Sequence, residues 1–327
     1  ENPVKDASID YTGYIQEAIF KYDNLVFPSF PLLINDKGLK IGSNKTLTFL
    51  KGSELRLKAS SKKSYAILDL KGVSNIEIYN PVIIGDRYKH LGDEGEWGMG
   101  ISIKGSKNVK IFGAKIKDCW GDGIYIGQVD DRITCQNIYI KDAYLSKNRR
   151  DGISIISVDG LILDNVYAGY SDGTKPMTGI NFEPNNAYCE LKNIKVLNPR
   201  TENNGERGIQ VVNRTMLEEN DKNTDIVIVN HSDIGSPKNA FKLACNPTDD
   251  VRGKMYGFVS IINPNWVRSS KNDIPMDVST NQANFKITIS SPKVTFMNGK
   301  VLPYNEIFDL FMKQSSRAPL KIVEIQP

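Results

Sequence analysis

The chain has 327 residues, 40% of them hydrophobic and 24% charged, and its 42 basic and 38 acidic side chains give a formal net charge of +4. That composition fits a soluble globular protein, and no apolar run reaches the roughly 18 residues of a membrane span. The basic residues are dispersed rather than clustered, which argues against nucleic acid as a partner; the mild positive bias permits a polyanion without requiring one.

The chain starts Glu1-Asn2-Pro3, with neither an initiator Met nor a signal peptide. We read it as a mature or trimmed chain, which points to export and to a secreted, periplasmic or cell-surface location. Residues 12 to 22 place Ile15, Ala18, Ile19 and Tyr22 at helical spacing, predicting an amphipathic N-terminal cap helix. Val26-Phe27-Pro28 and the segment from Leu39 to Leu57 then begin a series of coils.

Along the middle of the chain one pattern returns: Gly, a branched apolar residue, a polar residue, a second apolar residue. It reads Gly100-Ile101-Ser102-Ile103, Gly123-Ile124-Tyr125-Ile126, Gly152-Ile153-Ser154-Ile155, Gly179-Ile180-Asn181-Phe182 and Gly208-Ile209-Gln210-Val211, with glycines 23, 29, 27 and 29 residues apart. Ala240-Phe241-Lys242-Leu243 is a weaker sixth copy. A second pattern interleaves with it, as in Asn75-Ile76-Glu77-Ile78, Asn108-Val109-Lys110-Ile111 and Asn137-Ile138-Tyr139-Ile140, and continues to Asp225-Ile226-Val227-Ile228. Apolar and polar residues alternate, as in a half-buried strand. Two or three short strands per repeat of about 20 to 30 residues predict a β-solenoid; a propeller blade needs about 40.

At the far end, Tyr304 to Met312 reads as a capping helix and Lys321 to Ile325 as a last strand. The expected architecture is all-β: a single-stranded right-handed parallel β-helix of about nine coils, in one domain. Residues 1–25 form the N-terminal cap, 26–270 the coils, and 271–327 the atypical C-terminal coils and cap. Cys119, Cys135, Cys189 and Cys245 include no C-x-x-C pair, leaving buried free thiols or one or two disulfides.

The cap helix followed by Val-Phe-Pro, then the Gly-Asp-Gly-Ile and Arg-Arg-Asp-Gly-Ile coils, resembles the pectate-lyase-like β-helix superfamily over residues 10 to 245. It is also similar to the β-helix domains of phage capsule depolymerases and bacterial polysaccharide-degrading enzymes. That resemblance implies a polysaccharide or oligosaccharide partner. The superfamily holds hydrolases, lyases, epimerases and noncatalytic binders, so it leaves the reaction open.

Aligning coils on the repeating glycine puts Asp122 and Asp151 in one column, roughly 5 Å apart at Cα. A carboxylate pair suits acid/base sugar chemistry, because mutual repulsion raises one pKa. The arrangement resembles polygalacturonase-type glycoside hydrolases but lacks their Gly-His-Gly and Arg-Ile-Lys motifs; the only histidines are His90 and His231. Both aspartates equally suit turn caps bonded to the backbone. Counting along the strand puts Glu183 about 16 Å from the Asp column, where it serves a separate subsite, acts as the catalytic acid near Asn181 and Lys104, or is a solvated turn residue.

Arg149 and Arg150 read as a clamp for a uronate or sulfate, or as surface ion pairs with Asp118, Asp122 or Glu183. The loop from Gly85 to Gly98 is the largest polar insertion and brings Arg87, His90 and Trp97 toward the same coils. Trp97 and Trp120 take matching positions, as a stacking pair or as corner packing. Ser102, Tyr125, Ser154, Asn181 and Gln210 form an outward row suited to a sugar chain.

The catalytic candidates are therefore Asp122, Asp151 and Glu183. The substrate-binding candidates are Arg87, His90, Trp97, Trp120, Tyr125, Arg149, Arg150 and Asn181. No cofactor or metal is expected: calcium (Ca2+) stays open in principle, but a pectate-lyase calcium site needs more stacked acids than the chain assembles. The function expected is a glycoside hydrolase acting on an anionic or bacterial surface polysaccharide. The alternatives are a uronate lyase or epimerase and a noncatalytic glycan-binding adhesin.

Overall fold

The computed structural model describes residues 3–246, 253–269, 275–314 and 320–323. The chain winds as a solenoid of three parallel sheets with 11, 10 and 9 strands, here called the first, second and third faces. Up to the second-face strand Lys293–Phe296 successive strands visit the faces in rotation, and among the described residues the third face holds nine strands; the final strand, Leu320–Val323, returns to the first face. The interleaved sequence pattern forms the first face and the Gly-Ile pattern the third. The second face is built from strands of mostly three or four residues, such as Lys115–Lys117, Tyr144–Ser146 and Tyr167–Gly169. These are too short for alternation to announce them.

Like residues stack on like. On the third face Leu68, Ile101, Ile124, Ile153, Ile180, Ile209 and Phe241 pair in register, and on the first face so do Ile76, Val109, Ile138, Leu161, Ile194, Ile226 and Val259. All are buried, and each such side chain contributes about 1.5–3 kcal/mol of burial. The inward column of the second face runs Ile83, Ile116, Leu145, Ala168 and then turns polar at Thr201 and Asp233. There Arg268 pairs with Asp233 inside the core, Thr201 donates to Asp233 Oδ1 at 2.6 Å, and Trp266 Nε1 donates to His231 Nδ1 at 3.1 Å. Burial first, and the Arg268 charge second, hold the His231 pKa down to about 3, so this imidazole is neutral.

The repeating glycine has a steric cause. A Cβ on Gly100 would lie 2.6 Å from the Gly123 carbonyl oxygen; on Gly123, 2.7 Å from that of Gly152; on Gly152, 2.5 Å from that of Gly179. Gly179 and Gly208 repeat the contact on the next coils at 2.8 and 2.6 Å. Only a residue without Cβ lets one coil's backbone sit this close to the next. The asparagines that open first-face strands are also repeated for a reason. Asn44, Asn75, Asn108 and Asn137 all take left-handed φ near 54–60°, and their amides donate down the stack at 2.9, 3.1 and 3.2 Å.

The N-terminal helix spans Thr12–Lys21 and buries Ile15 and Ile19; Ala18 is half-buried, and Tyr22 lies past the helix end, exposed. The second helix spans Tyr304–Gln314, burying Ile307 and Phe311 against the last coils. A final strand covers Leu320–Val323, and the expected positions 324 and 325 lie outside the described residues. All four cysteines are buried and free. No helix among the described residues is long and apolar enough to cross a membrane.

Candidate functional site

Arg150 organises the site. It precedes the third-face strand Ile153–Ile155, and its guanidinium gathers carboxylates from four segments. Nη1 lies 3.2 Å from Asp122 Oδ2 and 3.2 Å from Asp151 Oδ2; Nη2 lies 3.3 Å from Glu183 Oε2; Nε lies 3.8 Å from Glu96 Oε2. Nη1 also donates to Ser154 Oγ at 3.1 Å. Below the guanidinium the two aspartates are fully buried, whereas Glu96 and Glu183 keep 33% and 35% of their side chains exposed. Four carboxylates around one arginine leave an excess of negative charge, and the groups that reach solvent are the two glutamates.

The aspartates take up the turn-cap role and also face Arg150. Asp122 Oδ1 accepts the main-chain N–H of Asp151 at 3.0 Å, and Asp151 Oδ1 accepts that of Thr178 at 2.7 Å, so each caps the start of the next coil. Their other oxygens face Arg150. Burial, and then the neighbouring Asp122 charge, push Asp151 up to about 7 against the opposing pull of Arg150. Burial raises Asp122 as well. Burial alone would depress Arg150, but its ring of carboxylates pushes its pKa above the ordinary arginine range, so the guanidinium stays charged.

Glu183 departs from the strand-counting expectation. It does not stand 16 Å off: the Asn181 amide donates to Asp151 Oδ2 and to Glu183 Oε2, each at 3.0 Å, so those two oxygens are at most about 6 Å apart. The count assumed side chains perpendicular to an extended strand. Here the Arg150 and Glu183 side chains lean toward each other across the sheet. Glu96, at the foot of the 85–96 loop, was not singled out by the sequence. Its only signal was its place just before the strand Trp97–Lys104.

The expected outward row does stack in register. Ser102, Ser154, Asn181 and Gln210 are nevertheless buried, and only Tyr125 is half-buried. Ser154 and Asn181 are consumed by the carboxylate cluster, and Gln210 donates to Asn181 at 3.2 Å. Tyr125 lies with Lys104 Nζ 5.2 Å from its ring centre; burial and the Asp122 charge push its phenol up to about 12.

Several loop candidates prove to be internal struts. His90 stacks on Trp120 at 3.9 Å and bonds Asp86 at 2.8 Å, with no exposed side-chain surface. The opposite face of Trp120 carries the Arg149 guanidinium at 3.8 Å, and Arg149 Nη1 donates to the Gly95 carbonyl at 2.7 Å. This three-layer stack pins the loop at His90 and Gly95. Trp97 and Trp120 do not form the expected pair: Trp120 is buried, while Trp97 is half exposed beside Arg149 and Glu96 in a recess of about 410 Å³. Arg87 is likewise engaged, donating to the carbonyls of Lys147 and Asn148 and pairing with Asp172 at 2.6 Å. Among the described residues, no group of His, Cys, Asp and Glu is arranged to hold a metal ion.

Residues 35–223 match a family model described as the right handed beta helix region. Two curated relatives in Bacillus subtilis (strain 168), both uncharacterized, share part of the chain. One, derived from the SPbeta prophage, is 29% identical over 45% of this chain, and the other is 33% identical over 38%. This chain spans 28% and 24% of their lengths, about a quarter. Among solved structures, a tailspike protein of E. coli bacteriophage HK620 in complex with a pentasaccharide aligns with a TM-score of 0.68 at 12% identity, covering 90% of this chain and 55% of that one. The endo-xylogalacturonan hydrolase of Aspergillus tubingensis aligns with a TM-score of 0.62 at 14% identity, covering 91% and 93%. The surface adhesin PfbA of Streptococcus pneumoniae aligns with a TM-score of 0.62 at 14% identity, covering 90% and 86%. At these identities the likeness is one of fold.

Proposed function

The chain belongs to the right-handed β-helix family, and on that premise we propose that it is a polysaccharide-active protein working outside the cell or at its surface. Our leading reading is a glycoside hydrolase acting on a polysaccharide. The observation that carries it is the single guanidinium of Arg150 gathering Glu96, Asp122, Asp151 and Glu183. In this reading Asp151, still protonated near neutrality, gives its proton to the leaving glycosidic oxygen. Glu183, which reaches solvent, acts on the opposite side of the bond, on water or on the anomeric carbon. Their nearest oxygens, at most about 6 Å apart, are closer than the usual spacing of an inverting pair, roughly 6.5–9.5 Å, and favour a retaining displacement.

The second reading is a noncatalytic glycan binder. It is favoured by the main-chain bonds that Asp122 and Asp151 already make, which give both a structural reason to exist. Incubation with a panel of acidic and neutral polysaccharides separates the readings. Hydrolysis releases reducing ends; a lyase would add the ultraviolet absorbance of unsaturated uronates. Glu183→Gln should lower any cleavage at least about 100-fold, the usual scale of acid–base catalysis, while leaving the fold intact. Binding without product from the parent protein would select the adhesin-like reading.

A further inference from the structure

We propose that the second face carries a glycan-binding platform separate from the carboxylate cluster, built from Tyr144, Tyr167, Tyr170, Arg200 and Glu202. These residues line a recess of about 510 Å³. Tyr144, Tyr167 and Arg200 occupy one outward column on consecutive coils. The two tyrosine rings are parallel, with centres 4.4 Å apart, and the Arg200 guanidinium lies 5.5 Å from the centre of Tyr167. Tyr144 is 48% exposed and Tyr170 39%. A row of amphipathic rings with exposed surface suits the C–H faces and hydroxyl rims of pyranose rings.

Polar groups are fixed beside the rings. Tyr170 Oη lies 3.0 Å from Glu202 Oε1 and donates to it; Tyr167 Oη and Arg200 Nη2 lie 3.3 and 2.8 Å from Oε2. The carboxylate retains accepting capacity, and the half-exposed guanidinium retains donors, so sugar hydroxyls find both kinds of partner. Within the recess Arg200 and Glu202 cancel in charge, which points to neutral sugars, with Lys115 one coil beyond Tyr144 in the outward column. Gly169 makes room for the Tyr167 ring: a Cβ there would lie 2.5 Å from Tyr167 Oη.

Backbone conformation adds an independent argument. The residue that follows each of five consecutive second-face strands takes left-handed φ: Asp118 at 58°, Lys147 at 57°, Tyr170 at 58°, Asn203 at 46° and Gly235 at 74°. Asp, Asn and Gly accept this conformation readily, and a bulky aromatic does not. Lys147 takes it as well, so the coil imposes the conformation, and at Tyr170 it sets the phenol oxygen beside Glu202.

Hydroxyl-radical footprinting read by peptide mass spectrometry tests the platform residue by residue, with cellohexaose, mannohexaose and hexagalacturonate as probes. At millimolar concentration a neutral hexasaccharide should slow oxidation of Tyr144 and Tyr170 about threefold or more, as expected for an occupied weak site. The effect should be the same in Glu183→Gln, so failure of the carboxylate-cluster reading leaves this result untouched. Tyr144→Ala should abolish protection at Tyr170. Tyr170→Asn, which places at this position the residue type found at Asn203, should fold like the parent and abolish protection at Tyr144. If none of the three probes protects these rings, or protection survives both substitutions, the platform does not exist. Protection by hexagalacturonate alone would overturn the assignment to neutral sugars.

Discussion

Replacing Arg150 with Met keeps much of the side chain's length and removes the charge that four carboxylates share. Asp122 and Asp151 are fully buried beneath it and Glu183 is largely so. Deleting one partner of a buried ion cluster typically costs about 3–5 kcal/mol, because the remaining charges lose their compensation. The loss should depend on pH in a definite direction. Arg150 lowers the pKa of both aspartates against their burial, so removing it moves both further above their unfolded values near 3.9. A carboxyl whose folded pKa is raised binds a proton that the unfolded chain releases. Its stabilising contribution is present at low pH and is lost as pH rises through the folded pKa, at about 1.4 kcal/mol per pH unit per proton. The parent gains from acidification through its raised aspartates, and the variant, with both raised further, gains more. The gap between them should therefore narrow by about 2 kcal/mol or more between roughly pH 8 and pH 5. Urea unfolding followed by circular dichroism at both pH values measures it. A loss below about 1 kcal/mol at the higher pH, or a gap that widens on acidification, would refute the account of Arg150 as the compensating charge.

Two further outcomes follow from the same geometry. If Asp151 supplies the proton, cleavage should fall as pH rises through about 7, where that carboxyl ionises, and Asp151→Asn should be nearly inactive with no such limb in its pH–rate profile. Gly152→Ala should destabilise by about 1–3 kcal/mol, because its Cβ would meet the Gly179 carbonyl oxygen at 2.5 Å and the Ala168 Cβ at 2.7 Å; thermal unfolding against Gly13→Ala, where nothing lies within 4 Å, provides the control.

The coils could be read from the chain because their cause is local and repeated. A branched apolar residue points inward at each step, a glycine sits where the next coil's carbonyl intrudes, and an asparagine turns each corner. The site was legible only in part. The Asp122–Asp151 column follows from repeat alignment, and its clustering with Arg150 was among the pairings open to it. Glu183 was displaced on paper because strand counting fixes Cα positions, whereas a glutamate and an arginine together span several ångströms of side chain. His90 and Trp120 looked like sugar-binding groups because their types are common in such sites. What sends them inward is the stack with Arg149, which depends on a loop path that no periodicity encodes. The Thr201–Asp233–Arg268 cluster was likewise missed, since an inward column that changes from apolar to polar after six coils breaks the pattern by which inward positions were recognised.

The glycine-to-carbonyl seat recurs almost unchanged from Gly100 to Gly208, so by this contact alone one coil could be exchanged for its neighbour. A folding chain that docks a strand one full turn early or late would still find a glycine opposite a carbonyl and isoleucine on isoleucine. Uniform stacking is thus good glue and a poor address. The address is written by the groups that occur once. Arg150 finds four acids at one level only, and Arg268 meets an inward carboxylate only at Asp233. Misplaced by a turn, either cation would be buried without its partner, a penalty of several kcal/mol set against nearly degenerate apolar packing. The same singular residues that make a candidate site also count the turns of the helix.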